Sequence, residues 1–222
     1  MTAGRTSVVN WPGAHQLDWR GHGLLLLPER ALWDPQQELL LLADVHLGKA
    51  EAFQANGIPL PSDGDHGNLN RLLALAHGLQ PRRLIVLGDL IHHRLGLSAD
   101  LRQKLQALPA LLGCPLELVG GNHDRGSWLE QLPALPSISS GPLWLSHEPE
   151  PPPAGQLNLC GHLHPVALLG GGGDRLRLPC FALDPPQRRL LLPAFGELTG
   201  GHPCPAGLRR WVVADGQVLT LP

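Results

Sequence analysis

Five short apolar runs in this chain end in the same kind of residue. Leu39 to Ala43 leads into Asp44, Val45 and His46. Leu84 to Leu87 leads into Gly88 and Asp89, and Leu116 to Val119 into Gly120, Gly121, Asn122, His123 and Asp124. Leu143 to Leu145 leads into Ser146 and His147, and Leu157 to Cys160 into Gly161, His162, Leu163 and His164. Short apolar runs of this kind are buried strands. Strands that each deliver Asp, Asn or His at their C-terminal ends feed one polar rim, the edge at which open α/β sheets place their sites.

The remaining pattern fits around those strands. Asp63 or Asp65 is positioned to cap a helix carrying Leu69, Leu72, Leu73 and Ala76, and Ser98 one carrying Leu101, Leu105 and Leu108. After His164 the chain reads as all-β, through Leu176 to Leu183, Arg189 to Leu192 and Trp211 to Leu221. Asp215-Gly216 is a hairpin signal, and Leu17 to Leu27 around Arg20-Gly21 forms another candidate hairpin. Gly170 to Gly173 reads as a turn and the Pro-rich Glu148 to Gly155 as a stiff loop. Two sheets packed face to face with helices outside are expected.

Length and composition set the frame. At 222 residues, 43% hydrophobic and 16% charged, the chain is long enough for one domain over 1–222 with a core that needs no staples. Its four cysteines form no C-x-x-C pair and read as reduced, mostly buried thiols. No apolar run is long enough to span a bilayer, and no signal segment follows Met1; the chain reads as cytoplasmic and free of membrane. A net charge of −2 excludes a generally basic nucleic-acid binder but not a local basic groove.

The strand ends carry the chemistry. Asp44 with His46, and His162 with His164, have the i, i+2 spacing that places two side chains on one face of a strand. With Asp89, Asn122 and His147 they make seven oxygen or imidazole ligands. That is too many for one four-coordinate zinc and suits two metals sharing a carboxylate, the usual arrangement for phosphate ester hydrolysis. Two divalent ions bring a charge of +4 against two anionic ligands, Asp44 and Asp89. The site can therefore hold a bridging hydroxide and an anionic phosphate together. His123, beside Asn122, can protonate the leaving oxygen or neutralise the transition state. Each motif alone is weak, since Asn, Asp and Gly are common in turns. Five in this order are specific. His15, His22, His66, His77 and His202 read as surface or structurally satisfied residues, and His92 and His93 as pocket-lining residues without a ligand role.

These residues resemble the calcineurin-like metallophosphoesterase superfamily, whose pattern is D-x-H, G-D, G-N-H-[DE], H and G-H-x-H. The resemblance implies that Asp44, His46, Asp89 and His164 bind one metal, and that Asp89, Asn122, His147 and His162 bind the second. It gives His123 the catalytic role, with Asp124 orienting it. The implied fold is a four-layer αββα sandwich, an α/β architecture of two mixed β-sheets flanked by helices. A narrower resemblance is to the PdeM branch, described as the ligase-associated DNA damage response endonuclease. It rests on Asp44 to Ala50, Gly57 to Pro61, Gly121 to Arg125, Ser146 to Pro149, Leu192 to Gly196 and Thr199 to Gly201. It implies a manganese-dependent phosphodiesterase that cuts single-stranded DNA in DNA repair, in functional association with a DNA ligase and helicase system. Lys49 and Arg125, next to the metal motifs, are candidate phosphate contacts.

Two other readings stand beside that one. The low basicity and the 4% aromatic content favour a small nucleotide diester or diphosphate as substrate. A non-catalytic interaction module on the same fold is the third, against which stands the retention of every ligand and of His123.

Overall fold

The computed structural model describes residues 10–61, 64–124, 132–170, 175–205 and 207–221. Two mixed sheets pack face to face. The first runs in chain order through β1 (His15–Trp19), β2 (His22–Leu26), β3 (Leu32–Asp34), β4 (Leu39–Leu42), β5 (Arg83–Leu87), β6 (Leu116–Val119) and β7 (Ala134–Leu135). The second contains β8 (Ile138–Ser140), β9 (Leu143–Leu145), β10 (Leu157–Cys160), β11 (Pro165–Leu169), β12 (Leu176–Asp184), β13 (Arg189–Leu191), β14 (His202–Pro203), β15 (Arg209–Ala214) and β16 (Gln217–Thr220). The α-helices described are α1 (Lys49–Ala55), α2 (Gly64–Leu79) and α3 (Ala99–Leu112).

Strand alternation sorts the apolar residues into two cores. On β4 and β5, Leu40, Leu42, Leu84 and Val86 join Leu72 and Leu75 of α2 and Leu101, Leu105 and Leu108 of α3. Leu39, Leu41, Ile85 and Leu87 face the other way and meet Leu143, Leu145, Leu157, Leu159 and Phe181 of the second sheet. Both faces of these central strands are therefore apolar, which is why they read as unbroken hydrophobic runs. The expected sandwich is observed, with α2 and α3 covering the first sheet. On the outer face of the second sheet, buried Asn158 accepts from the Glu150 amide at 3.1 Å, and Arg188 donates to the Pro152 and Pro153 carbonyls. The Pro-rich segment thus lies against that sheet.

Local signals explain the element ends. Ser98 caps α3, its Oγ accepting from Leu101 N at 3.1 Å. Asp65 lies inside the first turn of α2 and accepts from Gly48 N at 2.7 Å, so it ties α2 to the loop before α1 instead of capping its own helix. Arg20 and Gly21, and Asp215 and Gly216, all have positive φ, as two-residue hairpin turns with right-handed twist require. The cap expected at Asp63 lies outside the described residues, as does the turn expected over Gly170 to Gly173 apart from Gly170, which has positive φ. Cys114, Cys160 and Cys180 are buried free thiols, and Cys204 is partly buried. Among the described residues no helix is long and apolar enough to cross a membrane.

Candidate metal centre

Parallel pairing brings the site together. β4, β5 and β6 run side by side, as do β9 and β10, so their C-terminal ends lie along one rim. The loops beyond them are cross-bonded. Asp44 N donates to Gly88 O, His46 N to Asp89 O, Gly161 N to His147 O, and His162 N to both carboxylate oxygens of Asp44. The rim thus joins the two sheets.

The convergence arises differently from the strand geometry expected. Asp44 and His46 lie past the end of β4, and His162 and His164 between β10 and β11, so strand alternation does not aim them. Asp44 (φ 56°), His46 (52°), Asp89 (51°), His162 (64°) and His164 (44°) instead adopt left-handed backbone, at a cost of about 1 kcal/mol or more each. Strain persists where the surroundings over-determine it, and the cross-bonds supply that here. Glycines make the room. A Cβ on Gly88 would strike the His147 ring, on Gly121 the Asp89 carboxylate, and on Gly161 the Asp44 carboxylate.

All seven expected metal-site residues meet at this rim. Asp44, His46, Asp89 and His164 each place one ligand atom within 4.8 Å of the others. The carboxylates of Asp44 and Asp89 are almost fully buried. Nε2 of His46 is buried without a hydrogen-bond partner, which is rare unless a ligand belongs there, and Nε2 of His164 faces the Asp44 carboxylate at 3.3 Å without hydrogen-bond geometry. Burial first, and then the neighbouring His164, His123, His92 and Lys49, push the His46 imidazole down to about 2. It is neutral, as a metal ligand must be.

A second set adjoins the first. His147 Nδ1 lies 3.1 Å from Leu87 O and donates to it; in the neutral imidazole that metal binding requires, Nε2 is then the acceptor. That Nε2 lies 2.9 Å from Asn122 Oδ1, 3.1 Å from His162 Nδ1 and 3.6 Å from Asp89 Oδ2. Acceptor atoms crowd here with too few hydrogens between them, and a cation resolves that conflict. Asp89 stands between the two sets, its Oδ2 also 3.8 Å from His46 Nε2. Burial raises its pKa, so its ionised form needs positive charge beside it. The residues present fit divalent cations.

His123 projects from the rim with Nδ1 2.6 Å from the backbone carbonyl of His92, to which it donates. Its Nε2 lies 4.0 Å from Asp89 Oδ2. Asp124 accepts from the amides of Gly121 and Ile91 through its two oxygens, tying the loop that carries His123 to the loop that follows Asp89. Lys49 opens α1, half-buried, with its ammonium pKa lowered by desolvation; its charge acts on His46 and His92. Arg125 lies outside the described residues.

His92 has a larger part than its sequence reading gave it. Besides its bond to His123, its Nδ1 lies 3.3 Å from His46 Nδ1, and His46, His92 and His123 bring nitrogen atoms together as a further cluster. The loop Leu192 to Gly201 also gains a place. Phe195 N donates to Ala43 O and Gly196 N to Asp44 O, pinning the backbone that carries Asp44. Arg71 stacks over Phe195, 4.2 Å from the ring centroid, and bonds to Glu197 and to the Phe195 carbonyl. No spacing rule exposes that contact. Of the other histidines, His22 pairs with buried Asp34 at 2.7 Å, His15 packs on Trp211, and His202 is exposed.

Fold and rim together define a metal-dependent phosphoesterase architecture. The calcineurin-like phosphoesterase family matches residues 38–184, and the chain belongs to that family. Among solved structures it is similar to the nuclease MPE of Pseudomonas putida, with 33% identity over 94% of this chain and 100% of that one and a TM-score of 0.77. A Vps29 double mutant from Entamoeba histolytica also aligns, at 14% identity over 82% of this chain and 96% of that one, with a TM-score of 0.38. Comparison with curated proteins returns no match.

Proposed function

We propose that this protein is a manganese-dependent phosphodiesterase that cuts single-stranded DNA internally, in a DNA repair setting in the cytoplasm alongside a DNA ligase and helicase system. The observation that carries the reading is the shared rim, at which seven Asp, Asn and His side chains from two sheets converge around Asp89. Similarity over almost the whole chain to a protein described as a nuclease supports nucleic acid as the substrate class.

Asp44, His46, Asp89 and His164 would hold one divalent cation, and Asp89, Asn122, His147 and His162 a second. Bound cations supply positive charge for the phosphate and lower the pKa of the attacking water. The chain's own residues do the rest. His147 keeps Nε2 free of hydrogen by donating Nδ1–H to Leu87 O. His123 donates Nδ1–H to His92 O, so when protonated its Nε2–H faces the rim and can pass a proton to the departing ester oxygen. Lys49, and Arg125 from the same motif region, would contact phosphate oxygens.

Manganese-loaded protein incubated with covalently closed single-stranded DNA circles tests this reading, with His123→Ala alongside. Circles linearised by the wild type and spared by the variant are expected. Intact circles with a chromogenic phosphodiester still hydrolysed would move the substrate to a small nucleotide diester. Loss of both activities would leave a non-catalytic module.

A further inference from the structure

An aromatic and apolar groove lined by Phe53, Ile58, His92, Leu95 and His123 adjoins the proposed metal centre. From His123 the rings follow in near-parallel succession through His92 to Phe53. His123 and His92 have centroids 5.0 Å apart and planes 24° apart, and His92 and Phe53 are 5.7 Å and 27° apart. Ile58 and Leu95 border the same groove and are 49% and 56% exposed, a poor use of large aliphatic residues unless something covers them. The walls come from different segments, Phe53 from α1 and Leu95 from the turn Arg94–Gly96. They are locked together where Gly48 and Gly96 approach so closely that a Cβ on either would strike the other's backbone. The groove is built in advance and ends on His123, whose Nε2 lies 4.0 Å from Asp89 Oδ2.

We infer that this groove is a nucleobase subsite, taking the base of the nucleoside that carries the leaving oxygen. The inference rests on the DNA-cutting reading above. His123 is both the end of the ring series and the donor to the leaving oxygen, so the group attached to that oxygen is the one delivered to the groove. Bases stack on aromatic faces whatever their identity, so the subsite discriminates base from no base but hardly one base from another.

The test uses manganese-loaded protein and a single-stranded oligonucleotide with one tetrahydrofuran abasic residue, with cleavage mapped at every bond. One of the two bonds flanking the abasic residue, the one whose leaving oxygen it carries, should be cut about fivefold or more less often than the bonds elsewhere. Phe53→Ala should reduce that contrast to under about twofold, and Phe53→Leu, which keeps apolar bulk without an aromatic face, should do the same. Equal cutting at both flanking bonds and elsewhere by the wild type would overturn the subsite while leaving the nuclease intact. A contrast that survives in both variants would also overturn it. No cutting at any bond would instead overturn the DNA reading on which it rests.

Discussion

The backbone carbonyl of His92 accepts a hydrogen bond from Nδ1 of His123 at 2.6 Å, so the main chain of one histidine sets the orientation of another. The His92 ring does a second job. Its Nδ1 lies 3.3 Å from His46 Nδ1; with His46 Nε2 given to a cation, His46 Nδ1 carries the hydrogen and His92 Nδ1 accepts it. One residue thus positions a proposed metal ligand through its side chain and the proposed proton donor through its backbone.

Replacing His92 by Ala separates these roles, because the carbonyl remains. His92→Ala should weaken metal binding about 10–100-fold, the usual cost of losing a group that orients a ligand, while the proton donor stays aligned. Manganese titration followed by electron paramagnetic resonance checks the affinity. Saturating manganese should restore most of the lost turnover; failure to restore it would show that the His92 ring acts on the reaction itself.

His123→Ala should leave metal affinity near that of the wild type and cut DNA hydrolysis at least about 100-fold, the lower range for general acid catalysis. The loss on bis(p-nitrophenyl) phosphate should be under about tenfold, because a nitrophenolate departs without a proton. Paired rates on the two substrates measure the difference. Equal losses would argue that His123 stabilises charge instead of delivering a proton.

Much of this site was legible in the sequence. The five runs became β4, β5, β6, β9 and β10, and every expected rim residue lies at the end of one of them. Apolar strands followed by polar ligands leave a mark in a single chain because both sides of the boundary are chemically distinct. The two hairpins were legible for a similar reason, since Arg20-Gly21 and Asp215-Gly216 satisfy positive φ locally. The left-handed backbone at Asp44, His46, Asp89, His162 and His164 was not, because none is glycine and tertiary bonds impose it. Nor was α1, whose seven residues include only the apolar Ala50, Ala52, Phe53 and Ala55, too few for a clear period. The His92 and Arg71 contacts join residues 31 and 124 positions apart, and no local pattern encodes them.

The glycines under the proposed ligands give a test free of side-chain chemistry. Gly121 and Gly161 do not have positive φ, so alanine there meets no φ penalty; its Cβ instead strikes the carboxylate and backbone nitrogen of Asp89 at Gly121, and the Asp44 carboxylate and Ala43 Cβ at Gly161. Gly121→Ala and Gly161→Ala should each displace a carboxylate by enough to lower turnover about 100-fold. Metal content measured by inductively coupled plasma mass spectrometry should fall with it. Full metal loading and full activity in either variant would show that the rim tolerates movement it is packed to prevent.

Asp65 gives a pH signature away from the rim. Burial first raises its pKa to about 6, with Glu51 adding to the rise and the Gly48 amide, His66 and Lys104 opposing it. The folded chain therefore holds a proton that the unfolded chain, titrating at the ordinary carboxylate value of 3.8, has already released. Stability falls as pH rises from about 4 to about 6 and levels off above. The effect is about 1 kcal/mol once solvent screening is allowed for. Asp65→Asn keeps an acceptor for Gly48 N and removes the titration. The difference in melting temperature between variant and wild type should grow in the variant's favour across that window; a constant difference would show that Asp65 titrates normally.

Asp89 poses the strongest conflict between stability and function. The residue is 2% exposed, and its Oδ1 accepts from His123 N at 2.9 Å. Its Oδ2 lies 3.6–4.0 Å from nitrogens of His46, His123 and His147. Without a cation, this charge is desolvated and is further opposed by Asp44; with one, it is the group both proposed sites share. Asn has the same shape and can still accept from His123 N, so Asp89→Asn removes the charge without emptying the space. In chelator the variant should melt at or above the wild type, as expected where an active site holds an unfavourable group. Manganese at about 100 times its Kd should raise the wild-type melting temperature by about 5 °C or more, while the variant should gain little and hydrolyse neither DNA nor a chromogenic diester. Thermal melts with chelator and with manganese decide the matter. A variant that melts far below the chelated wild type would make Asp89 a structural residue, and one with the full manganese shift would remove it from the metal centre.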